Sequence, residues 1–273
     1  MKNERVAIVI PFYDGLDTIQ ALVSRIADVC LKQSYDYQVI LVDDSADEFK
    51  SSALHKWFGT DENISLITLP ENFGQHYATV EGLKVSVGCS VITLDEDLQH
   101  CPEDIPALIE VSLAGKFDVV YGNRKPRDWR YWVGRMILAF CFPNGPHTTC
   151  SFRLVQSEMV DKITKLSPKF YELEGMIYQL RPKYGYADVL VNTTGRDSNK
   201  SSYSVVKVFS LISNLIAYYS WFPIILVSVA CVIVQLLLLL EGALHSLIFL
   251  PISGISVLTL MAYISTRLSK TNS

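Results

Sequence analysis

Asp95 and Asp97 stand two residues apart at the end of an apolar run, in the segment VITLDEDLQH. If the chain leaves that run extended, alternation directs both carboxylates to one side, where they repel unless a cation lies between or beside them. Oxygen ligands suit Mg²⁺ or Mn²⁺, ions that keep several waters and complete their shell with phosphates. The pair therefore predicts a metal-bound diphosphate. Three other apolar runs end in polar residues: Pro11-Phe12-Tyr13-Asp14, Asp43-Asp44-Ser45 and Gly122-Asn123-Arg124.

Those runs are short and rich in β-branched residues, at 5–11, 37–42, 64–69, 90–94 and 117–121. Between them, residues 17–31, 75–87 and 103–114 carry apolar positions at helical spacing. The alternation predicts an α/β fold: a mostly parallel sheet with flanking helices, whose ligands sit beyond the carboxyl ends of the strands. No G-x-G-x-x-G follows the first strand and no G-x-x-x-x-G-K-[ST] occurs, which argues against a dinucleotide-binding enzyme and a P-loop NTPase. Six cysteines without a C-x-x-C pair, and without a histidine at zinc spacing, indicate neither a metal ribbon nor a redox motif.

Charge is divided unevenly within the net of -4: residues 1–115 hold 7 Lys and Arg against 19 Asp and Glu, and residues 116–273 hold 17 against 9. An acidic half suits a cation, and a basic half faces phosphates or anionic lipid. A nucleic-acid binder is basic across its binding domain, so nucleic acid is not an expected partner.

Residues 217–240 contain no charge and as a helix extend about 36 Å, enough to cross a hydrocarbon core of about 30 Å. Residues 246–265 form a second uncharged stretch of about 30 Å. The connector carries no Lys or Arg, whereas Lys200 and Lys207 precede the first span and Arg267 and Lys270 follow the second. The positive-inside rule then places both ends of the chain in the cytoplasm. Polar positions every three or four residues across 201–216 predict an amphipathic helix on the membrane surface. The N-terminal apolar run, Val6–Ile10, is too short for a signal-peptide core. The expected order is a cytoplasmic domain over 1–200, an interfacial helix over 201–216, spans at 217–240 and 246–265, and a cytoplasmic tail from 266.

Taken in order, IVIPFYDG (8–15), VILVDDS (39–45), LPENFGQHYATVEGL (69–83), VITLDEDLQHCPEDI (91–105), YGNRKPR (121–127), SFRLV (151–155) and GRDSNKSSYS (195–204) resemble family 2 glycosyltransferases of GT-A fold. Within that family the chain is similar to the membrane-anchored branch of dolichol-phosphate mannose synthase and bacterial polyprenyl-phosphate sugar transferases. The resemblance implies roles residue by residue. Pro11, Tyr13 and Asp44 match positions that hold the nucleotide's base and ribose, Asp95 and Asp97 the metal and diphosphate ligands, and Gln99 a residue beside the donor sugar. Arg124, Arg196 and Lys200 match basic positions that approach phosphates, as does Arg135, while Arg127 and Lys207 join Arg135 and Lys200 on the acceptor or membrane side. Asp44 has a second reading as a turn former in Asp43-Asp44-Ser45, and Arg124, Lys125, Arg127 and Arg130 a second reading as a patch for anionic lipid.

The chain departs from the branch in two places. The stretch from Arg127 to Phe152 is shorter by roughly one small helix, and Ser202 stands where a lysine is common. The implied activity is inverting transfer of a sugar from a nucleotide-diphosphate sugar to a polyprenyl phosphate, with Mg²⁺ or Mn²⁺ as cofactor. A second reading extends a lipid-linked oligosaccharide; its hydroxyl acceptor needs a carboxylate base, for which Asp104, Glu172 and Glu174 are candidates. A third is an inactive nucleotide-sugar-binding scaffold. Beyond the donor, the lipid and the membrane, a homo-oligomer and a lipid flippase partner are left open.

Overall fold

A computed structural model describes residues 5–115, 117–123, 136, 150–168, 171–180, 185–192, 229–230 and 233. The chain divides into two compact units, Met1–Ser204 and Val205–Ser273.

The first unit is built on seven strands: β1 (Val6–Phe12), β2 (Tyr37–Asp43), β3 (Ile64–Thr68), β4 (Ser90–Thr93), β5 (Val119–Asn123), β6 (Arg153–Val155) and β7 (Tyr186–Leu190). They lie in the order β3-β2-β1-β4-β6-β5-β7. The pairs β1–β2, β1–β4, β2–β3 and β5–β7 are parallel, whereas β6 runs antiparallel to both β4 and β5. The sheet is thus the mixed, helix-flanked kind expected of a GT-A fold. β1 is buried along its whole length, as an unbroken apolar run at the centre of a doubly covered sheet must be.

Pro11 sits inside this central strand at no cost in hydrogen bonding. Val9 faces β4 and accepts from the Leu94 amide at 3.3 Å, and Pro11, two residues on, faces the same way. β4 has left the ladder by then, its last register pair being Val9 with Thr93, so the missing N–H takes no partner away.

The helices follow from local signals. α1 (Leu16–Gln33) buries Ile19, Leu22, Val23, Ile26, Val29 and Cys30, one stripe at helical spacing. α2 (Glu48–Phe58) starts at Asp47, whose carboxylate accepts from the amides of Phe49 and Lys50 at 2.9 and 3.2 Å. α3 (Gln75–Val85) starts after Gly74, which holds φ +92°. α3 lies so close over the sheet that a Cβ on Gly82 would stand 2.4 Å from a Val9 methyl. A 3₁₀ turn (Pro102–Asp104) leads into α4 (Ile105–Gly115), and α5 (Ser157–Ile163) and α6 (Leu173–Leu180) follow β6.

The strands and helices expected from periodicity are present, with ends moved by one to two residues; Gly122 and Asn123 belong to β5 rather than following it. Among the described residues no helix is long and apolar enough to cross a membrane. The expected interfacial helix and both spans lie outside the described residues, save Val229, Ala230 and Ile233, which are helical and exposed.

Candidate functional site

β4 ends at Thr93, and Leu94 still donates to β1, so Asp95-Glu96-Asp97 leaves the sheet beside the carboxyl end of β1. Three polar segments converge there. Gln75, at the start of α3, donates its side-chain amide to one oxygen of Asp95, and the Ser151 hydroxyl donates to the other at 2.6 Å. Ser151 is itself held by Thr93, whose hydroxyl donates to the Ser151 carbonyl at 2.6 Å. Asp97 accepts from the Gln99 amide N–H at 3.1 Å and from its side-chain amide, across a turn in which Leu98 takes φ +58°.

Burial pushes the Asp95 carboxyl above its ordinary range, the Ser151 hydrogen bond pulls it back, and the nearby Asp97 charge raises it again. A half-buried corner that penalises its own negative charge gains from a cation. The donors present, two carboxylates of hard oxygen each with lone pairs to spare, fit Mg²⁺ or Mn²⁺ and leave coordination positions for phosphate and water. No group of three or more His, Cys, Asp or Glu among the described residues makes a cation cage.

Glu96, between the two aspartates, turns the other way. Its carboxylate accepts from the amides of Tyr13 and Asp14, each at 3.0 Å, and its carbonyl accepts from the Thr18 hydroxyl at 2.7 Å. α1 has no capping side chain of its own at Gly15, and Glu96, from the end of the neighbouring strand, ties down the loop that leads into the helix and places a negative charge near its N-terminus. The three consecutive acidic residues thus split between two jobs as the chain turns out of the sheet. Replacing Glu96 by Ala should cost about 1.5–3 kcal/mol, the usual range for hydrogen bonds to a charged acceptor. Thermal unfolding would check this; a loss under about 0.5 kcal/mol, the scatter of ordinary surface substitutions, would show that the loop holds itself.

On the β1 and β2 side, Tyr13 is 55% exposed, with the Lys50 ammonium 5.5 Å from its ring centre; Lys50 also bonds the Tyr13 carbonyl at 3.1 Å and Asp14 at 2.6 Å. Pro11 is buried beneath Tyr13 in sequence, within β1. Asp44 is buried, and its oxygens accept from the amides of Phe73 and Gly74 at 2.7 and 2.8 Å. It therefore ties the end of β2 to the loop before α3, which is a structural task beside any contact with a nucleotide. Asp43 is spent on Ser45 and Ser51.

Beyond Asp95 lies a second charged group. Arg153, at the start of β6, is in register with Thr93 and Tyr121 and is 4% exposed. Its guanidinium bonds Glu174, whose other oxygen accepts from the Tyr121 hydroxyl at 2.7 Å. Glu172, 3% exposed, accepts from the Gly175 amide at 2.6 Å and faces His76 Nε2 at 3.8 Å. Burial pushes the Glu172 carboxyl up, while the Gly175 hydrogen bond and Arg153 oppose it. Asp104 lies elsewhere: it accepts from the Asn192 amide and side chain at 2.6 and 3.0 Å, joining the 3₁₀ turn to the residue past β7.

The structure therefore brings Pro11, Tyr13, Asp44, Asp95, Asp97 and Gln99 to one edge of the sheet. Arg124, Arg127, Arg135, Arg196, Lys200 and Lys207 lie outside the described residues. Sequence reasoning passed over Glu96, Arg153 and His76. Alternation in Asp95-Glu96-Asp97 carries the signal for the first; nothing local marks the other two.

The family model for glycosyl transferase family 2 matches residues 7–164. An undecaprenyl-phosphate 4-deoxy-4-formamido-L-arabinose transferase of Pseudomonas fluorescens (strain SBW25) is 31% identical over 236 residues, 82% of this chain and 67% of the relative. The transferase of the same name from Proteus mirabilis (strain HI4320) is 28% identical, over 84% of this chain and 72% of its own. Glucosyl-3-phosphoglycerate synthase from Mycobacterium tuberculosis in complex with UDP superposes with a TM-score of 0.60 at 18% identity, covering 79% of this chain and 80% of that one. Its complex with Mn²⁺, UDP and glucosyl-3-phosphoglycerate gives 0.59, over 79% of this chain and 78% of the other. This chain belongs to glycosyl transferase family 2.

Proposed function

We propose that the chain is an inverting, metal-dependent glycosyltransferase that moves a sugar from a nucleotide-diphosphate sugar to a polyprenyl phosphate at the cytoplasmic face of a membrane. The observation that carries this reading is the Asp95 and Asp97 corner at the end of β4, in a chain similar along most of its length to undecaprenyl-phosphate sugar transferases. The structural neighbour's complex with Mn²⁺ and UDP supports the use of a divalent ion.

Asp95 and Asp97 would hold the ion, which when bound neutralises charge on the departing nucleoside diphosphate. Tyr13, Pro11 and Asp44 receive the nucleoside, and Gln99 lies beside the sugar. Arg124, Arg196 and Lys200 supply fixed positive charge for phosphates, and Arg127, Arg135 and Lys207 face the acceptor side or the lipid surface. Attack in line with the leaving group inverts the anomeric carbon. The two uncharged C-terminal stretches anchor the enzyme as a hairpin beside its lipid substrate.

A phosphate acceptor is anionic at neutral pH and attacks without a strong base. A hydroxyl acceptor needs one, and the structure commits two of the three candidates elsewhere: Asp104 to Asn192, Glu174 to Arg153 and Tyr121. That favours the phosphate. Purified protein given Mn²⁺, a panel of nucleotide-sugars and polyprenyl phosphate alone is expected to yield a lipid carrying one sugar. Product only on a lipid that already bears a sugar would replace this reading with oligosaccharide extension, and no metal-dependent product with either acceptor would leave the scaffold reading.

A further inference from the structure

Two cross-segment pairs join the first turn of α3 to the residues just before α6. Tyr77 and Tyr171 meet edge to face, ring centres 4.8 Å apart, and the neighbouring residues His76 and Glu172 face each other with Nε2 and Oε1 3.8 Å apart. The aromatic contact fixes the spacing of the polar pair. That spacing is too long for a hydrogen bond between the two.

Each member is held from behind. Glu172 spends Oε2 on the Gly175 amide at 2.6 Å, which leaves Oε1 turned toward His76. Gly175 lies in the turn that Glu174 anchors through Arg153 and Tyr121. His76 follows Gln75, whose side chain holds Asp95, so the pair lies next to the residue that bonds the carboxylate assigned to the donor's diphosphate. The Glu172 side chain is 4% exposed and that of His76 33%, so the carboxylate is the buried member and the imidazole the one that reaches the surface. Burial, with Arg153 adding to it, pushes the imidazole pKa down against the opposing charges of Glu174 and Asp95, which favours the neutral ring, able to donate at one nitrogen and accept at the other.

We propose that His76 and Glu172 form the subsite that recognises a hydroxyl, or another neutral group with an N–H or O–H donor, on the sugar being transferred. A carboxylate oxygen and an imidazole nitrogen 3.8 Å apart can both reach one intervening hydroxyl, which donates to the carboxylate and accepts from the ring. Buried groups that need such a hydroxyl discriminate strongly against a sugar that lacks it, because the carboxylate is then left without its partner. The pair reads the substituent, not the leaving group, and so sets which sugar is moved. This inference rests on the donor site proposed above.

The test is binding rather than turnover. With the full chain in detergent and Mn²⁺ present, calorimetry compares UDP with UDP-glucose, UDP-galactose and UDP-N-acetylglucosamine, and GDP with GDP-mannose, and takes the gain in affinity that the best sugar adds to its bare nucleotide. Glu172→Gln and, separately, His76→Phe are expected to remove about tenfold or more of that gain, as for loss of a hydrogen bond to a charged group, while leaving affinity for the bare nucleotide unchanged. An equal loss for nucleotide and nucleotide-sugar in both variants would reduce the pair to a structural role and overturn the proposal. So would an undiminished gain, including the case in which transfer falls and only acceptor use has changed. If the unaltered protein binds neither nucleotides nor nucleotide-sugars, the donor site itself is overturned and this subsite with it. Bare-nucleotide affinity of the unaltered protein separates the two failures.

Discussion

Asp97→Asn is expected to lower metal-supported sugar transfer by about three orders of magnitude and leave the fold standing. The reasoning is local. Asp97 accepts from the backbone and side chain of Gln99 only two residues away, so the substitution disturbs one short turn and no packing. Asparagine keeps one carbonyl acceptor for the Gln99 N–H and loses the charge that would face the ion. Asp95→Asn is a less clean probe, because both oxygens of Asp95 accept from side chains of other segments and an amide can satisfy only one of them. The measurement is transfer rate against Mn²⁺ concentration, paired with a thermal melt. Turnover within a few-fold of the unaltered enzyme, at any Mn²⁺ level, would remove Asp97 from the metal site.

The parts of this molecule that the sequence made legible are those with a short-range cause. β1 and the buried middles of β2 and β4 are apolar because both faces of a central strand are covered, and the polar residues after them mark the sheet edge where a ligand can bind. α1 announced itself by a buried stripe at helical spacing. The misses have long-range causes. β6 has three residues and becomes a strand only by pairing antiparallel with β4 and β5, where Leu154 meets Ile92, 62 positions back, and Val120, 34 positions back. β7 is an edge strand of partly exposed residues, without the apolar pattern of a core strand.

The site divides along the same line. The Asp95 and Asp97 pair was visible as a pattern of types and spacing. The work of Glu96 in holding the loop before α1 depends on where the Tyr13 and Asp14 amides end up in space. Likewise Glu172, Glu174 and Asp104 looked alike as possible bases. Only their partners distinguish them: an asparagine for Asp104, an arginine and a tyrosine for Glu174, and a facing histidine for Glu172. Charge type is written in a sequence, but the commitment of each charge is a property of packing.

Arg153→Met is expected to be the most destabilising single change in the described part of the chain, at about 3–5 kcal/mol, because it removes one partner from a buried ion pair and strands the other. The strand register fixes the arginine between Thr93 and Tyr121, where it is 4% exposed, and the Glu174 side chain it bonds is only 11% exposed, so the charge left behind has little access to water. The Tyr121 hydroxyl still donates to Glu174, but a neutral donor replaces little of a guanidinium. Arg153 also gives up something in the native state: its Nε has no hydrogen-bond partner, so the pair is not an optimum of stability. For that reason the double variant Arg153→Met with Glu174→Leu should recover much of the loss, since two apolar groups ask nothing of each other in a buried site. Denaturant unfolding of the full chain in detergent, run on both single variants and the double, measures the coupling. A cost below about 1 kcal/mol for Arg153→Met, or a double variant as unstable as the sum of the singles, would mean that Glu174 and Arg153 do not hold the turn that presents Glu172.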